Sequence, residues 1–216
     1  RRLLGPMDGT TWNSYRLVTE TDGSKPFLME PTSGPADLAA FETAGFAPVA
    51  RYFSAIGRLD GMDRTPPLTP GLRVDHWDGS DPEGHFSRVY DLSLAAFSQN
   101  AFYTPITREE FLAMYLPFVP MIRPELVLFA LDETGALAGF LFGMSDYSQG
   151  PAPKTVILKT YASRQKGAGQ AMAAVFHETA RAMGFATVIH ALIHETNVSA
   201  ARSEQLGARP FRRYAL

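Results

Sequence analysis

Residues 164–169 read RQKGAG, and they join a β-rich run, TVILKTY, to a segment of helical spacing that opens near Gly169. A helix start offers N–H groups with no partner inside the helix and a partial positive charge. Gly167 and Gly169 let that backbone come close to an anion, because no Cβ intervenes. Arg164 and Lys166 add charge. The chain has only four Lys, and Lys154, Lys159 and Lys166 lie on this strand and turn. The chemistry implied is the holding of a phosphate; a solvated basic face is the plain alternative. Two familiar phosphate loops do not fit. A Walker loop needs Lys-Ser/Thr directly after its last Gly, where this chain has Gln170-Ala171. A dinucleotide fingerprint counted from Gly167 needs Gly or Ala where Met172 stands.

A second group of candidates ends the run ATVIHALIH. His190 and His194 have the spacing of a helical metal pair, but their neighbours favour a strand. Strand positions four apart lie roughly 13 Å apart, too far for one ion, so no metal is expected. His194 or Glu195, at the strand's end, suits a general base. Alternation puts the two on opposite faces, so one of them at most serves, and Glu195 is favoured. A structural role for both is the plain alternative. His177, with Arg181 one turn on, reads as part of a solvated helix face. No Ser sits in a nucleophile-elbow context.

Composition narrows the classes. A net charge of −2 and a pI near 6.2 argue against a sequence-independent grip on nucleic acid. No apolar run spans a bilayer: the best, residues 126–144, is cut by Asp132 and Glu133. The absence of Cys removes thiolate nucleophiles, thiolate zinc sites and disulfides, and fits a cytoplasmic location. The sequence starts with Arg, so a fragment or processed product is expected.

The elements that must position these residues are legible in outline. LRVDHWD reads as a strand, and residues 86–100 as a helix with Phe86, Val89, Tyr90, Leu94 and Phe97 inward. Thr107 and Glu110 form a capping-box pattern. Residues 125–144 read as two strands joined at Asp132–Gly135. After TVILKTY comes a helix over residues 169–183, with Met172, Val175, Phe176, Thr179 and Met183 inward. A strand through His194, a short helix over 199–206 and a strand over 210–216 close the chain.

Residues 44–53, AGFAPVARYF, and 206–215, LGARPFRRYA, share Gly, Pro, Arg and Tyr at equal spacing. Each follows an expected helix, itself preceded by an apolar run ending in Glu, FLMEPT and LIHETN. A strand–helix–strand unit is therefore expected to occur twice, with chance similarity the plain alternative. The expected division is a segment over 1–57, a Gly/Pro/Asp-rich linker over 58–71 with its boundary near 66, and a domain over 72–216.

Arg164-x-x-Gly167-x-Gly169, the preceding strand and IHETNVSAARSEQLGA in this element order resemble the GCN5-related N-acetyltransferase (GNAT) superfamily over residues 72–216. The resemblance implies an α/β fold with a mixed, mostly antiparallel sheet flanked by helices. Residues 1–57 resemble the second half of another such domain. It implies an acyl-CoA-dependent N-acyltransferase, with acetyl-CoA the donor and a small-molecule or peptide amine the acceptor. Backbone N–H groups of Gln165, Lys166, Gly167, Ala168, Gly169 and Gln170 would hold the pyrophosphate. Lys159, Thr160, Tyr161 and Ala162 would lie along the pantetheine, opposite Asn197. The place of the family's Tyr acid is taken by Ser203, a weaker donor, with Tyr214 or Tyr161 as substitutes. That replacement leaves a non-catalytic acyl-CoA sensor as the rival reading. The loop Gly5–Arg16 is either a substrate-site wall or an ordinary surface loop.

Overall fold

A computed structural model describes residues 3–62, 70–98 and 100–216. Strands β1 (Leu17–Thr21), β2 (Arg51–Arg58), β3 (Arg73–His76), β4 (Val127–Leu131), β5 (Leu137–Ser145), β6 (Thr155–Ser163), β7 (Thr187–His194) and β8 (Arg209–Ala215) form one sheet. Their order is β1-β8-β2-β7-β6-β5-β4-β3. Among these pairings only β6–β7 is parallel. Helices are α1 (Pro35–Thr43), α2 (Pro82–Phe97), α3 (Arg108–Tyr115), α4 (Ala168–Ala182) and α5 (Val198–Gln205). The fold class is the mixed, mostly antiparallel α/β sheet expected.

Each face of the sheet is covered by helix. Met172, Phe176 and Ala180 of α4 pack on Leu128, Leu141, Val156 and Val188. Phe86, Val89, Tyr90 and Leu92 of α2, with Phe111 of α3, cover Val127, Phe129 and Phe140 on the other face. Burying a side chain of this size contributes roughly 1.5–3 kcal/mol. The capping box forms: Thr107 Oγ1 accepts from the Glu110 N–H at 3.1 Å, and Glu110 accepts from the Thr107 N–H at 2.7 Å. Helix α2 starts earlier than expected, because Asp81 caps it and Pro82 occupies its first turn.

The two strand–helix–strand units interleave. Strand β2 lies between β7 and β8, and β8 lies between β1 and β2. Each unit therefore straddles one strand of the other. Tyr52 and Tyr214, matched in the sequence repeat, are cross-strand partners, so a local two-fold relation runs between β2 and β8. The repeated glycines end equivalent helices: Gly45 follows α1 at φ 83° and Gly207 follows α5 at φ 75°. Both sit in the left-handed conformation that terminates helices and favours Gly.

Two details differ from expectation. FLMEPT is not a strand. Phe27 and Leu28 cover the sheet on Met144, Ile157, Ile189 and Phe211, and the Glu30 carboxylate turns back to accept the Phe27 N–H at 3.1 Å. The strand of that unit is β1, whose outward residues carry little apolar signal. The start of the expected linker is also core: Leu59 and Met62 are buried, and Arg181 donates to the Leu59 carbonyl at 3.0 and 2.8 Å. The boundary near 66 lies outside the described residues.

Candidate active site

Strands β6 and β7 pair only from Thr155↔Thr187 to Leu158↔His190 and then diverge. Both strands carry an irregularity at the point of separation. In β6, Phe142 pairs with Thr160 and Gly143 with Leu158, so Lys159 is an extra, bulged residue. In β7 the register against β2 shifts between Ile193 and His190, and Leu192 adopts φ 58°, a conformation rare for a branched side chain. The Leu192 N–H is held by Ser54 Oγ at 3.0 Å. A bulge re-aims a strand, and here two of them open the sheet. The gap between the facing edges of β6 and β7 is part of a cleft of about 1420 Å³ that extends to α2, α3, α5 and the loop before β1.

Only the end of the glycine turn, Gly169 and Gln170, lines this cleft; Gln165, Lys166, Gly167 and Ala168 lie beside it and not in its wall. Gly167, at φ 89°, precedes the first residue of α4, a backbone that other residues adopt only at a cost. The Ala168 N–H bonds to the Gln165 carbonyl at 3.2 Å, and the Ala168 side chain is in the core. Among the described residues, the N–H groups of Gln165, Lys166, Gly167, Gly169 and Gln170 meet no backbone acceptor. Five of the six expected donors are thus free. A Cβ on Gly169 would lie 2.9 Å from the Tyr161 ring and 3.6 Å from Arg202 Nη1. Arg202 lines the cleft from α5 and brings positive charge to the first turn of α4. Sequence reasoning missed it; its only signal was its place one residue before Ser203.

The other expected residues divide. Lys159, Thr160, Tyr161, Gly169, Gln170, Asn197, His194 and Ser203 line the cleft. Ala162 packs under α2 instead. Arg164 and Lys166 are exposed on the turn. Lys159 does not join them: its Nζ donates to the Met29 carbonyl at 3.0 Å, toward the N-terminal segment. Asn197 caps α5, its Oδ1 accepting from the Ser199 N–H at 3.2 Å. Glu195 does not line the cleft, and it pairs with Arg213 at 3.3 Å. The Tyr214 hydroxyl is committed to Glu30 at 2.7 Å and also lies outside the cleft. Tyr15 and Arg16, from the loop Gly5–Arg16, line the cleft together with Thr11 and Trp12.

His177 is not on a solvated face. It is buried, with Nε2 3.0 Å from Nε2 of His190, whose Nδ1 lies 2.8 Å from Ser203 Oγ. The chain His177–His190–Ser203 fixes the Ser203 hydroxyl at the cleft wall. Burial pushes His177 down to about 3, helped by the neighbouring His190 and Arg181, and burial alone pushes His190 down to about 4. Both are neutral at pH 7, so one proton is shared across each contact.

These shifts make the fold acid-sensitive. Unfolded histidines titrate near 6.5, so below that pH the unfolded chain binds protons that the folded chain refuses. Stability contributed by this pair is full above about 6.5 and declines as the pH falls toward about 4 for His190 and about 3 for His177. Urea unfolding at pH 7.5 and 4.5 is expected to differ by about 3 kcal/mol or more. Equal midpoints at the two pH values would show that the pair is not buried neutral.

No family model matches this sequence, and no curated protein sequence matches it. Solved structures do match in fold. A GCN5-related N-acetyltransferase from Sphaerobacter thermophilus aligns over 85% of this chain and 55% of its own, at 19% identity and a TM-score of 0.62. A tandem GNAT protein from the clavulanic acid biosynthesis pathway aligns over 93% of this chain and 61% of its own, at 18% identity and a TM-score of 0.62. A glucosamine N-acetyltransferase region of a fungal β-N-acetylglucosaminidase aligns at 12% identity and a TM-score of 0.59. The chain therefore has the GNAT fold. It spans little more than half the length of the first two structures it resembles.

Proposed function

We propose that the protein is an acyl-CoA-dependent N-acyltransferase using acetyl-CoA. The observation that carries this is that Gly169 and Gln170, whose N–H groups meet no backbone acceptor among the described residues, open onto the cleft between β6 and β7. An anion at the turn and an extended chain between the strands would satisfy both sets of free backbone groups at once. The pyrophosphate would sit on Gln165–Gly167 and Gly169–Gln170, with Arg202 beside it. The pantetheine would run along Lys159–Tyr161, opposite Asn197.

The chain's own groups then account for the transfer. A free N–H near the bulge at Lys159 would stabilise the charge that develops on the carbonyl oxygen. The amine nitrogen forms a bond to the acyl carbon as the carbon–sulfur bond breaks. His194 Nδ1 accepts from the Thr196 N–H at 3.2 Å and lies 2.9 Å from Thr196 Oγ1. Thr196 lines the cleft, so its hydroxyl would take the amine proton while passing its own to His194. The departing thiolate would accept a hydrogen bond from Ser203. Glu195, paired outside the cleft, has no part in this route.

The test is transfer of a labelled acetyl group to a panel of primary amines. Thr196→Val is expected to lower kcat by about a hundredfold, the lower end of what a general base contributes, and to leave acetyl-CoA affinity unchanged. Glu195→Gln is expected to match wild type across the pH profile. A loss in Glu195→Gln with none in Thr196→Val would reassign the base. Tight acetyl-CoA binding without turnover on any amine would support a sensor, the reading that Ser203 in the acid position favours.

A further inference from the structure

The cleft has a second positive corner, built without the glycine turn. Arg16 lies with Cζ 3.8 Å over the Tyr15 ring and 4.2 Å over the Tyr52 ring, and it donates to the Tyr15 hydroxyl. Lys159, at the bulge of β6, spends one of its three donors on the Met29 carbonyl. Both side chains line the cleft. Among the described residues neither forms an ion pair, although the nearby Arg212 and Arg213 each do.

Glu30, the one carboxylate among the described residues lining the cleft, is already committed. It accepts from Tyr214 at 2.7 Å and from the Phe27 N–H at 3.1 Å, and its Oε1 lies 2.9 Å from Arg212 Nε. Lys159 is held down to about 8 by burial first and then by the charge of Arg16, with Glu30 opposing. Two half-buried cations thus face the same space with no ion-pair partner among the described residues and only the already committed Glu30 acting on Lys159, an expensive arrangement unless an anion completes it.

Unsatisfied polar atoms mark the same space. Arg16 Nε is buried without a hydrogen-bond partner among the described residues, as is Ser93 Oγ, and both residues line this cleft; Trp12 Nε1 and Tyr103 Oη also fall outside normal hydrogen-bond geometry but have each other as neighbours. Native proteins leave few such atoms unpaired. The wall beyond Arg16 is aromatic: Trp12 packs edge-on to Phe97, Tyr103 and Phe111 at 6.1, 6.2 and 5.4 Å.

We infer that the Arg16–Lys159 corner binds a carboxylate carried by one of the two substrates, whose apolar or aromatic body lies along Trp12, Phe97 and Phe111. The inference rests on the acyltransferase reading for what is transferred, but the corner itself is defined by Arg16, Lys159 and the unpaired donors. Arg16 offers a planar fork suited to a carboxylate, and Lys159 offers a second charge. The carboxylate belongs either to the amine acceptor, making it an amino acid, or to a dicarboxylic acyl group on the donor.

The direct test needs no acyl-CoA. N-acetyl-L-phenylalanine and its neutral amide are titrated into the full chain by calorimetry. The acid is expected to bind about tenfold or more tighter than the amide, and Arg16→Gln and Lys159→Met each to abolish that difference. Arg16→Lys, which keeps the charge, should retain part of it. Equal affinity for acid and amide in wild type overturns the proposal whether or not any variant folds. Turnover then assigns the source. A preference for phenylalanine over its amide with acetyl-CoA places the carboxylate on the acceptor; a preference for succinyl-CoA over acetyl-CoA with a neutral amine places it on the acyl group. Turnover with neither preference also overturns the proposal while leaving acyl transfer standing. Failure of acetyl-CoA to bind removes the acyltransferase reading and leaves the calorimetric result to decide the corner.

Discussion

A chain cut between residues 62 and 70, at a protease site engineered there, is expected to stay in one piece on gel filtration. Strand β2 pairs along its length with β7 on one side and β8 on the other. Phe53, Ala55, Leu59 and Met62 are part of the same buried cluster as Met172 and Phe176 of α4. Removing a large core side chain costs about 2–5 kcal/mol. Losing Phe53, Leu59 and Met62 together is already comparable with the roughly 5–15 kcal/mol that holds a whole domain folded, before the two hydrogen-bonded edges are counted. A chain beginning at residue 70 is accordingly expected to show no cooperative thermal transition. Separation of the nicked pieces under native conditions, or a sharp transition in the shortened chain, would show that the first segment is an appendage.

Gly169→Glu should abolish acetyl-CoA binding, with a loss of a hundredfold or more in calorimetric affinity. Two causes act together. The added Cβ meets the Tyr161 ring at 2.9 Å, so the ring must move into the space expected to take the pantetheine. The carboxylate also brings negative charge to the first turn of α4, where an anion is to be held. Gly169→Ala separates the causes: it keeps the steric conflict without the charge and should lose less. Equal affinity in wild type and Gly169→Glu would move the phosphate away from this turn. Far-UV circular dichroism of the variant guards against a trivial loss of fold.

The glycine turn and the strands around it were legible because each depends on local chemistry. A β-rich run, two glycines and a helical period are visible in consecutive residues. His177 was misread because its burial depends on a contact with His190 that no periodicity displays; beside Phe176 and one turn before Arg181 it has the neighbours of a boundary position. Glu195 looked suited to catalysis because it ends β7, but Arg213 on β8 holds it outside the cleft. Arg16 was visible only as the end of the loop Gly5–Arg16, with nothing to single it out within that loop. Its meaning comes from Tyr52 and Lys159, which are distant in sequence and adjacent only once β2 enters the sheet. The repeat was visible as matched Gly and Tyr residues, yet nothing in it showed that the units interleave.

Interleaving also sets a timetable for synthesis. Ser54 on β2 and Leu192 on β7, joined by a hydrogen bond, are separated by 138 residues. At about 5–20 residues per second, β2 leaves the ribosome roughly 7–28 s before its neighbour exists. Its apolar residues must remain unpaired through that interval, and strand pairing at such separation is intrinsically slow. Nascent chains of this protein should therefore depend on holding chaperones more than a GNAT fold whose sheet is completed by strands adjacent in sequence.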